Sequence, residues 1–343
     1  MRILIVRTGA MGDIIHGMHA VAGLRACMPK AELGWVIEPH WGPLLRSSDG
    51  DMPLVHRIHR AETKAWNRAP FSLSTLRSVL SLRDQLKAGS YDLCIDLQGS
   101  VRSAVIGRMA GAKQFAGSAS PAENIARLLY KTRVHVRQPH VIAQAAEILS
   151  GACATNISPY ERVPFPYDQR DETWCDDLLG NDTRPVAMIA PRAGWGAKQW
   201  PAERYGAVSL QLAEMGFRIL VNALPGGDMT AAEVVTASED TAQAMECTLP
   251  QLIALTRRLK LFIGGDTGPM HLASAMGVPC VALFGPTDPK RTGPWGTNAR
   301  VLRNAKSVTD HRRYKNPEPG LMRISTEDVM RAARELTEGS GRS

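Results

Sequence analysis

Phe262-Ile263-Gly264-Gly265-Asp266-Thr267-Gly268-Pro269-Met270-His271-Leu272-Ala273-Ser274-Ala275-Met276-Gly277 is the stretch that decides the fold. The mostly apolar run from Leu259 to Ile263 leads into a Gly-Gly turn. Leu272, Ala273 and Met276 then recur at the spacing of a short buried helix, which Gly277 closes. The pattern is strand, tight turn, helix N-terminus. Gly264, Gly265 and Gly268 let a ligand approach the backbone, and a helix beginning near Thr267 offers free N–H groups and the positive end of its dipole to an anion such as a diphosphate. The next strand, from Val278 to Phe284, leaves through Gly285-Pro286-Thr287-Asp288-Pro289. Two consecutive strands thus deliver Gly-rich loops to one sheet edge, where open α/β sheets bind nucleotides. The same residues also suit a plain turn followed by a capped helix. The stretch is neither a Walker loop, since it has no Gly-Lys-Ser/Thr, nor a Gly-x-Gly-x-x-Gly fingerprint.

The chain's 343 residues exceed what one core usually fills, so two domains are expected. A formal net charge of +8 calls for an acidic partner: nucleic acid, an anionic membrane surface or a phosphorylated small molecule. No apolar run approaches the length of a membrane-spanning helix, and Met1-Arg2 runs straight into the strand-like Ile3-Leu4-Ile5-Val6, which argues against a secretory signal. Cysteines at positions 27, 94, 153, 175, 247 and 280 are scattered and mostly in apolar segments. They read as reduced core thiols of a cytoplasmic protein rather than disulfides or a metal cluster.

Strand, Gly turn and helix recur at the N-terminus, where Arg7-Thr8-Gly9-Ala10-Met11-Gly12-Asp13 precedes a helix. Asp13 falls at the helix start, where a carboxylate serves equally as a cap or as a chemical group. Leu33 to Ile37 and Leu93 to Leu97 are further strands with polar exits. Between them lies a basic segment with Arg57, His59, Arg60, Lys64, Arg68, Arg77 and Arg83, interleaved with Trp66 and Phe71. It is either a solvated face or a surface for an acidic substrate. The Pro-rich stretch 158–166 reads as a linker. Beyond it the βα alternation restarts with Val186 to Ala190. Arg192 and Lys198 follow in a Gly-rich exit loop that suits phosphate, and a last amphipathic helix carries Val329, Met330, Ala333 and Leu336 inward. Two such half-chains predict an α/β protein of two Rossmann-like domains facing each other across a cleft.

The segments 2–16, Ile95-Asp96-Leu97-Gln98-Gly99, Lys198-Gln199-Trp200-Pro201 and 265–273 occur in the order and spacing of glycosyltransferase family nine. Over nearly its whole length the chain resembles the ADP-heptose:lipopolysaccharide heptosyltransferases, type I in particular. The resemblance implies a GT-B fold, with an acceptor-binding domain over 1–165 and a nucleotide-sugar-binding domain over 166–324. It leaves helix 325–337 free to pack back on the first domain. The implied reaction is inverting transfer of L-glycero-D-manno-heptose from ADP-heptose to a Kdo residue of the inner core. Asp13 matches the general base, and Lys198 the lysine at the donor phosphate. Thr267, Gly268 and Pro269 match the diphosphate cradle, Asp266 the acid at the heptose, and Cys247 a backbone contact to adenine. Arg192 is placed with the donor. Arg60, Lys64 and Arg102 match cations facing the acidic acceptor, and the first motif adds Thr8 and Gly12. The chain departs from close relatives in offering Gly226-Gly227-Asp228 where they carry a glutamate at the ribose. It also lacks the cysteines that many type II and III enzymes have before the last helix.

The expected partners are therefore an ADP-sugar and Kdo-lipid A, met by a cytoplasmic enzyme working peripherally at the inner face of the inner membrane. No cofactor and no metal are expected, because no Asp-x-Asp pair stands at a strand exit while Lys198 and the helix terminus supply positive charge. Two other readings remain: a family-nine enzyme using another nucleotide sugar or acceptor for a different surface glycan, and a non-catalytic nucleotide- or nucleic-acid-binding protein. Against nucleic acid stands the lack of any recognisable RRM, KH, helix-turn-helix or zinc module.

Overall fold

Ile3, Leu4, Ile5 and Val6 have no solvent exposure because β1 (Arg2–Val6) runs through the middle of a parallel sheet with helices on both faces. In the computed structural model, which describes residues 1–338, β1 is joined by β2 (Glu32–Ile37), β3 (Arg57–Arg60), β4 (Leu93–Asp96), β5 (Gln114–Ser118) and β6 (Thr132–Val134). Their order across the sheet is β3-β2-β1-β4-β5-β6, all pairs parallel. The second half repeats this plan with β7 (Val186–Ala190), β8 (Arg218–Ala223), β9 (Ala242–Glu246), β10 (Leu259–Gly265), β11 (Cys280–Phe284) and β12 (Ala299–Arg303). Here the order is β12-β11-β10-β7-β8-β9, again parallel.

The chain divides after Tyr167 into two units, Met1–Tyr167 and the part from Asp168 onward, two residues beyond the expected boundary. Each is Rossmann-like, which is the two-unit α/β build of the GT-B class. In each sheet the strand order reverses beside the first strand, between β1 and β4 and between β7 and β10. The loops leaving those two pairs of strands consequently part to opposite faces and open a crevice at the carboxyl ends.

Sequence patterning found the central strands and missed outer ones. β3, β6, β9 and β12 are sheet edges, and β5 neighbours one. An edge strand keeps one side in water, so β9, with sequence Ala-Gln-Ala-Met-Glu, alternates too weakly to announce itself. Glu246 ends that strand, and Cys247 and Thr248 form its exit.

The terminal helix, Thr326–Glu338, belongs to the second unit and not to the first. Val329, Met330, Ala333 and Leu336 enter the core formed by Ala187, Ile189 and Leu261. Trp200 explains the attachment: it is buried, stacks edge-on against Tyr205 at 4.8 Å, and its indole N–H donates to the Ile324 carbonyl at 3.1 Å. The loop after β7 is thereby tied to the segment preceding the last helix.

In the first unit Asp96 does comparable work at the end of β4. Its carboxylate is 1% exposed and accepts the N–H groups of Gln98 (2.8 Å) and Gly99 (3.0 Å) and the hydroxyls of Ser103 (2.8 Å) and Tyr130 (2.7 Å). Those bonds fix the β4 exit turn, helix Val101–Met109 and the ring that covers Gly117. Asp96→Ala would strand four donors, and we expect a loss of about 3 kcal/mol in denaturant unfolding. A loss below about 1 kcal/mol would show that water or rearrangement satisfies them instead.

Candidate active site

Both crevices collect charged groups on strand exits. In the second unit β7 leads into the loop that carries Arg192 and Lys198, and β10 into Asp266 and helix Gly268–Ala275. The Lys198 ammonium donates to Asp266 Oδ2 at 2.6 Å and to the Asp266 carbonyl at 3.3 Å. The other carboxylate oxygen lies 3.1 Å from His271 Nε2, one turn into the helix. All three side chains are largely buried. Two of the three ammonium protons are thus engaged, leaving one donor for a ligand. Thr267 is the N-cap, Pro269 occupies the first turn without an N–H, and the N–H groups of Gly268 and Met270 have no partner four residues back. A cation and a helix N-terminus therefore share one strand exit, an arrangement suited to a phosphate.

The lysine loop is held from several sides. Trp195 lies under two cations, Lys198 at 5.2 Å and Arg313 at 5.8 Å from its ring. Ala197 donates to the Tyr314 carbonyl at 3.0 Å and accepts from the Glu318 N–H at 3.1 Å. A side chain at Gly196 would lie 1.7 Å from the Lys315 carbonyl oxygen, so this position needs glycine for close approach. The segment 313–318, to which the sequence assigns no role, is a wall of the site.

The other residues that the sequence assigns to a donor, Arg192 and Cys247, lie at the exits of β7 and β9. Arg192 is half-exposed and faces Asp228 at 3.6 Å; the buried Asp228 side chain caps helix Met229–Ala237 through the N–H groups of Thr230 and Ala231. Gly226 and Gly227, both at positive φ, donate to the two oxygens of Glu246 at 3.1 Å each. Beside Glu246, the Cys247 thiol is pushed up to about 11 by burial, which keeps it protonated at neutral pH.

The first unit gathers its groups on the exits of β1 to β4. Asp13, third residue of helix Met11–Cys27, accepts the Arg7 guanidinium at 2.7 Å on Oδ1 and the Ala10 N–H at 3.1 Å on Oδ2. Arg7 is itself anchored by the Leu97 carbonyl at the end of β4. Asp13 is thus a cap, yet its carboxylate remains 47% exposed, with lone pairs to spare on both oxygens. Thr8 donates through its N–H and its hydroxyl to Gln98 Oε1, both at 2.8 Å, and Gly12 lies in the first helical turn.

Glu38, buried at the end of β2, accepts the Thr63 hydroxyl and the Lys64 N–H (2.9 Å), while its own N–H reaches the Thr8 carbonyl at 3.1 Å. Thr63 also receives Arg102 at 3.3 Å, and the Lys64 ammonium donates to His40 Nε2 at 3.3 Å. Burial, then the Lys64 charge, lowers the His40 pKa against the opposing pull of Glu38. Arg60 ends β3, exposed at the edge. The structure joins Thr8, Lys64 and Arg102 through Glu38 and Thr63. Arg7, Glu38 and His271 had no assigned role in the sequence, because each acts through a partner distant along the chain or on another element.

Residues 79–322 match the family model described as Glycosyltransferase family 9 (heptosyltransferase). Lipopolysaccharide heptosyltransferase 1 of Escherichia coli K12 is 27% identical over 316 residues, 88% of this chain and 93% of that protein. Lipooligosaccharide heptosyltransferase 2 of Haemophilus ducreyi is 28% identical over 327 residues, 88% of each chain. Among solved structures, the E. coli heptosyltransferase WaaC with ADP superposes with a TM-score of 0.80 at 24% identity, covering 98% of this chain and all of that one. A family 9 glycosyl transferase from Veillonella parvula gives 0.84 at 21% identity, covering 98% and 97%.

The Asp266 cluster predicts a pH effect. Burial alone would raise this carboxyl, but the His271 hydrogen bond and charge, and then Lys198, outweigh burial and hold it well below its ordinary value of 3.8. A depressed folded-state pKa contributes stability above the unfolded value, and that contribution is lost as pH falls below about 4 toward the folded value. The melting temperature of the wild type should therefore drop more steeply below about pH 4 than that of Asp266→Asn. Parallel curves for the two proteins would contradict the assignment.

Proposed function

The chain belongs to glycosyltransferase family 9, and from that premise we propose that it is an inverting heptosyltransferase. In this reading it moves L-glycero-D-manno-heptose from ADP-heptose to a Kdo residue of the lipopolysaccharide inner core. The observation that carries the reading is the convergence of Lys198, Asp266 and the N-terminus of helix Gly268–Ala275 on the β7 and β10 exits, a built seat for a sugar diphosphate. The remaining donor ammonium proton and the N–H groups of Gly268 and Met270 take the diphosphate, and Asp266 faces the heptose. Glu246, with Cys247 beside it, takes the ribose hydroxyls in place of the glutamate that relatives carry after β8.

Asp13 removes the proton from the acceptor hydroxyl as its oxygen attacks the anomeric carbon and the bond to the diphosphate breaks on the opposite face. One displacement inverts the centre. Charge leaves with ADP and meets Lys198, while the proton passes from Asp13 to solvent. Arg60, Lys64 and Arg102 receive the acidic Kdo sugars. The absence of cysteine from Val308 to Tyr314 favours a type I acceptor. The lipid-linked acceptor places the enzyme peripherally at the inner face of the inner membrane in this reading, and no described helix is long and apolar enough to cross a membrane.

Asp13→Asn separates base from cap. The amide keeps the shape and most capping ability, so stability should change by about 1 kcal/mol or less. Turnover should fall roughly a hundred- to ten-thousand-fold with donor affinity little altered. A folded variant that transfers heptose at near the wild-type rate would refute the assignment. With Lys198 and backbone N–H groups supplying the positive charge, turnover should also survive excess chelator. Complete loss restored by Mg²⁺ would instead make a metal part of the reaction.

A further inference from the structure

Helix Leu73–Ala88 is apolar on two faces. Leu82 and Leu86 enter the core of the first unit. The opposite face, where a surface helix ordinarily carries charge, holds Leu73 at 72%, Leu76 at 54% and an exposed Leu80. Phe71, just ahead of the helix, is fully exposed at 101%. Positions 73, 76, 77 and 80 fall on one stripe at helical spacing, so Arg77 rises from among the leucines, with Arg68 before Phe71 and Lys87 at the far end. Asp84, the acidic residue on that stripe, pairs with Arg83 at 3.2 Å. The turn that presents Phe71 is hydrogen-bonded: the Thr75 N–H donates to Ser72 Oγ at 3.1 Å, and the Thr75 hydroxyl to the Ala69 carbonyl at 2.8 Å. Helix Val101–Met109 packs against this helix and against the turn Asn124–Leu129, which exposes Ile125 and Leu128 beside Arg127.

We propose that the face formed by Phe71, Leu73, Leu76 and Leu80 docks on an anionic lipid bilayer. Apolar side chains set among arginines form the pattern by which a helix lies in the headgroup region, with aliphatic groups reaching the acyl boundary and guanidinium groups meeting lipid phosphates. The net charge of +8 has the complementary sign. The docking face also follows directly in the chain on Arg60 and Lys64, so it holds the acceptor-side cations next to the lipid from which an anchored sugar acid projects. In this respect the inference rests on the proposed acceptor.

The test uses the full chain and two vesicle types, phosphatidylglycerol mixed with phosphatidylethanolamine and phosphatidylcholine alone. Wild type should co-sediment with the first and weakly or not at all with the second. Phe71→Ser combined with Leu76→Glu should weaken binding by at least about tenfold while leaving the melting temperature unchanged, since both side chains are exposed. Transfer to a deacylated, soluble acceptor should be the same for the double variant and wild type, whereas transfer to acceptor embedded in vesicles should fall with binding. The inference is overturned if wild type ignores anionic vesicles or if the double variant binds them equally well. It is also overturned if the substitutions instead abolish a dimer seen by light scattering, which would assign the face to a second copy of the chain. Absence of transfer to both acceptors would sink the proposed reaction, and sedimentation would still decide the docking face.

Discussion

A parallel strand must return over the face of its sheet before the next strand can begin, and in both units the first strand lies at the centre, so the returns leave it in opposite directions. That constraint opens the sheet edge between β1 and β4 and again between β7 and β10. Arg7, Thr8 and Asp13 follow β1, and Gln98 follows β4. Lys198 follows β7, and Asp266 with its helix follows β10. The chemistry of the molecule is assembled from loops whose meeting is dictated by strand order.

A buried carboxylate at such an exit would carry a heavy desolvation cost if left alone. Asp266 is held ionised by Lys198 on one oxygen and His271 on the other, which also fixes the lysine beside the helix N-terminus. One interaction thus orders a cation, an acid and a set of backbone donors. Asp13 has a looser counterpart in Arg7: one guanidinium anchored on the neighbouring strand exit aims a half-exposed carboxylate. The two carboxylates differ in access: Asp13 is 47% exposed, whereas the Asp266 side chain is nearly buried.

How much of this was legible in the sequence depends on where the information lies. Central strands such as Val186–Ala190 and Cys280–Phe284 are buried on both faces and read as unbroken apolar runs, and Gly285 marks the exit of the second. Edge strands such as Arg57–Arg60 and Ala242–Glu246 face water on one side and carry no such signal. Candidate site residues stood out in the sequence through local chemistry and through the family pattern. Their partnerships did not. Lys198 and Asp266 are 68 residues apart, and Arg102 reaches Thr63 across 39. The terminal helix showed its apolar stripe plainly, but the surface that receives it is built by Trp200 and its neighbours on distant elements.

The account turns on a heptosyl group passing from a nucleotide diphosphate to a sugar acid on lipid. The most direct measurement is the mass of Kdo-lipid A after incubation with the purified chain and ADP-heptose. The account predicts a product heavier by one heptose residue, formed together with an equivalent of ADP. Unchanged acceptor mass with a folded enzyme, or ADP release without a heavier acceptor, would contradict it.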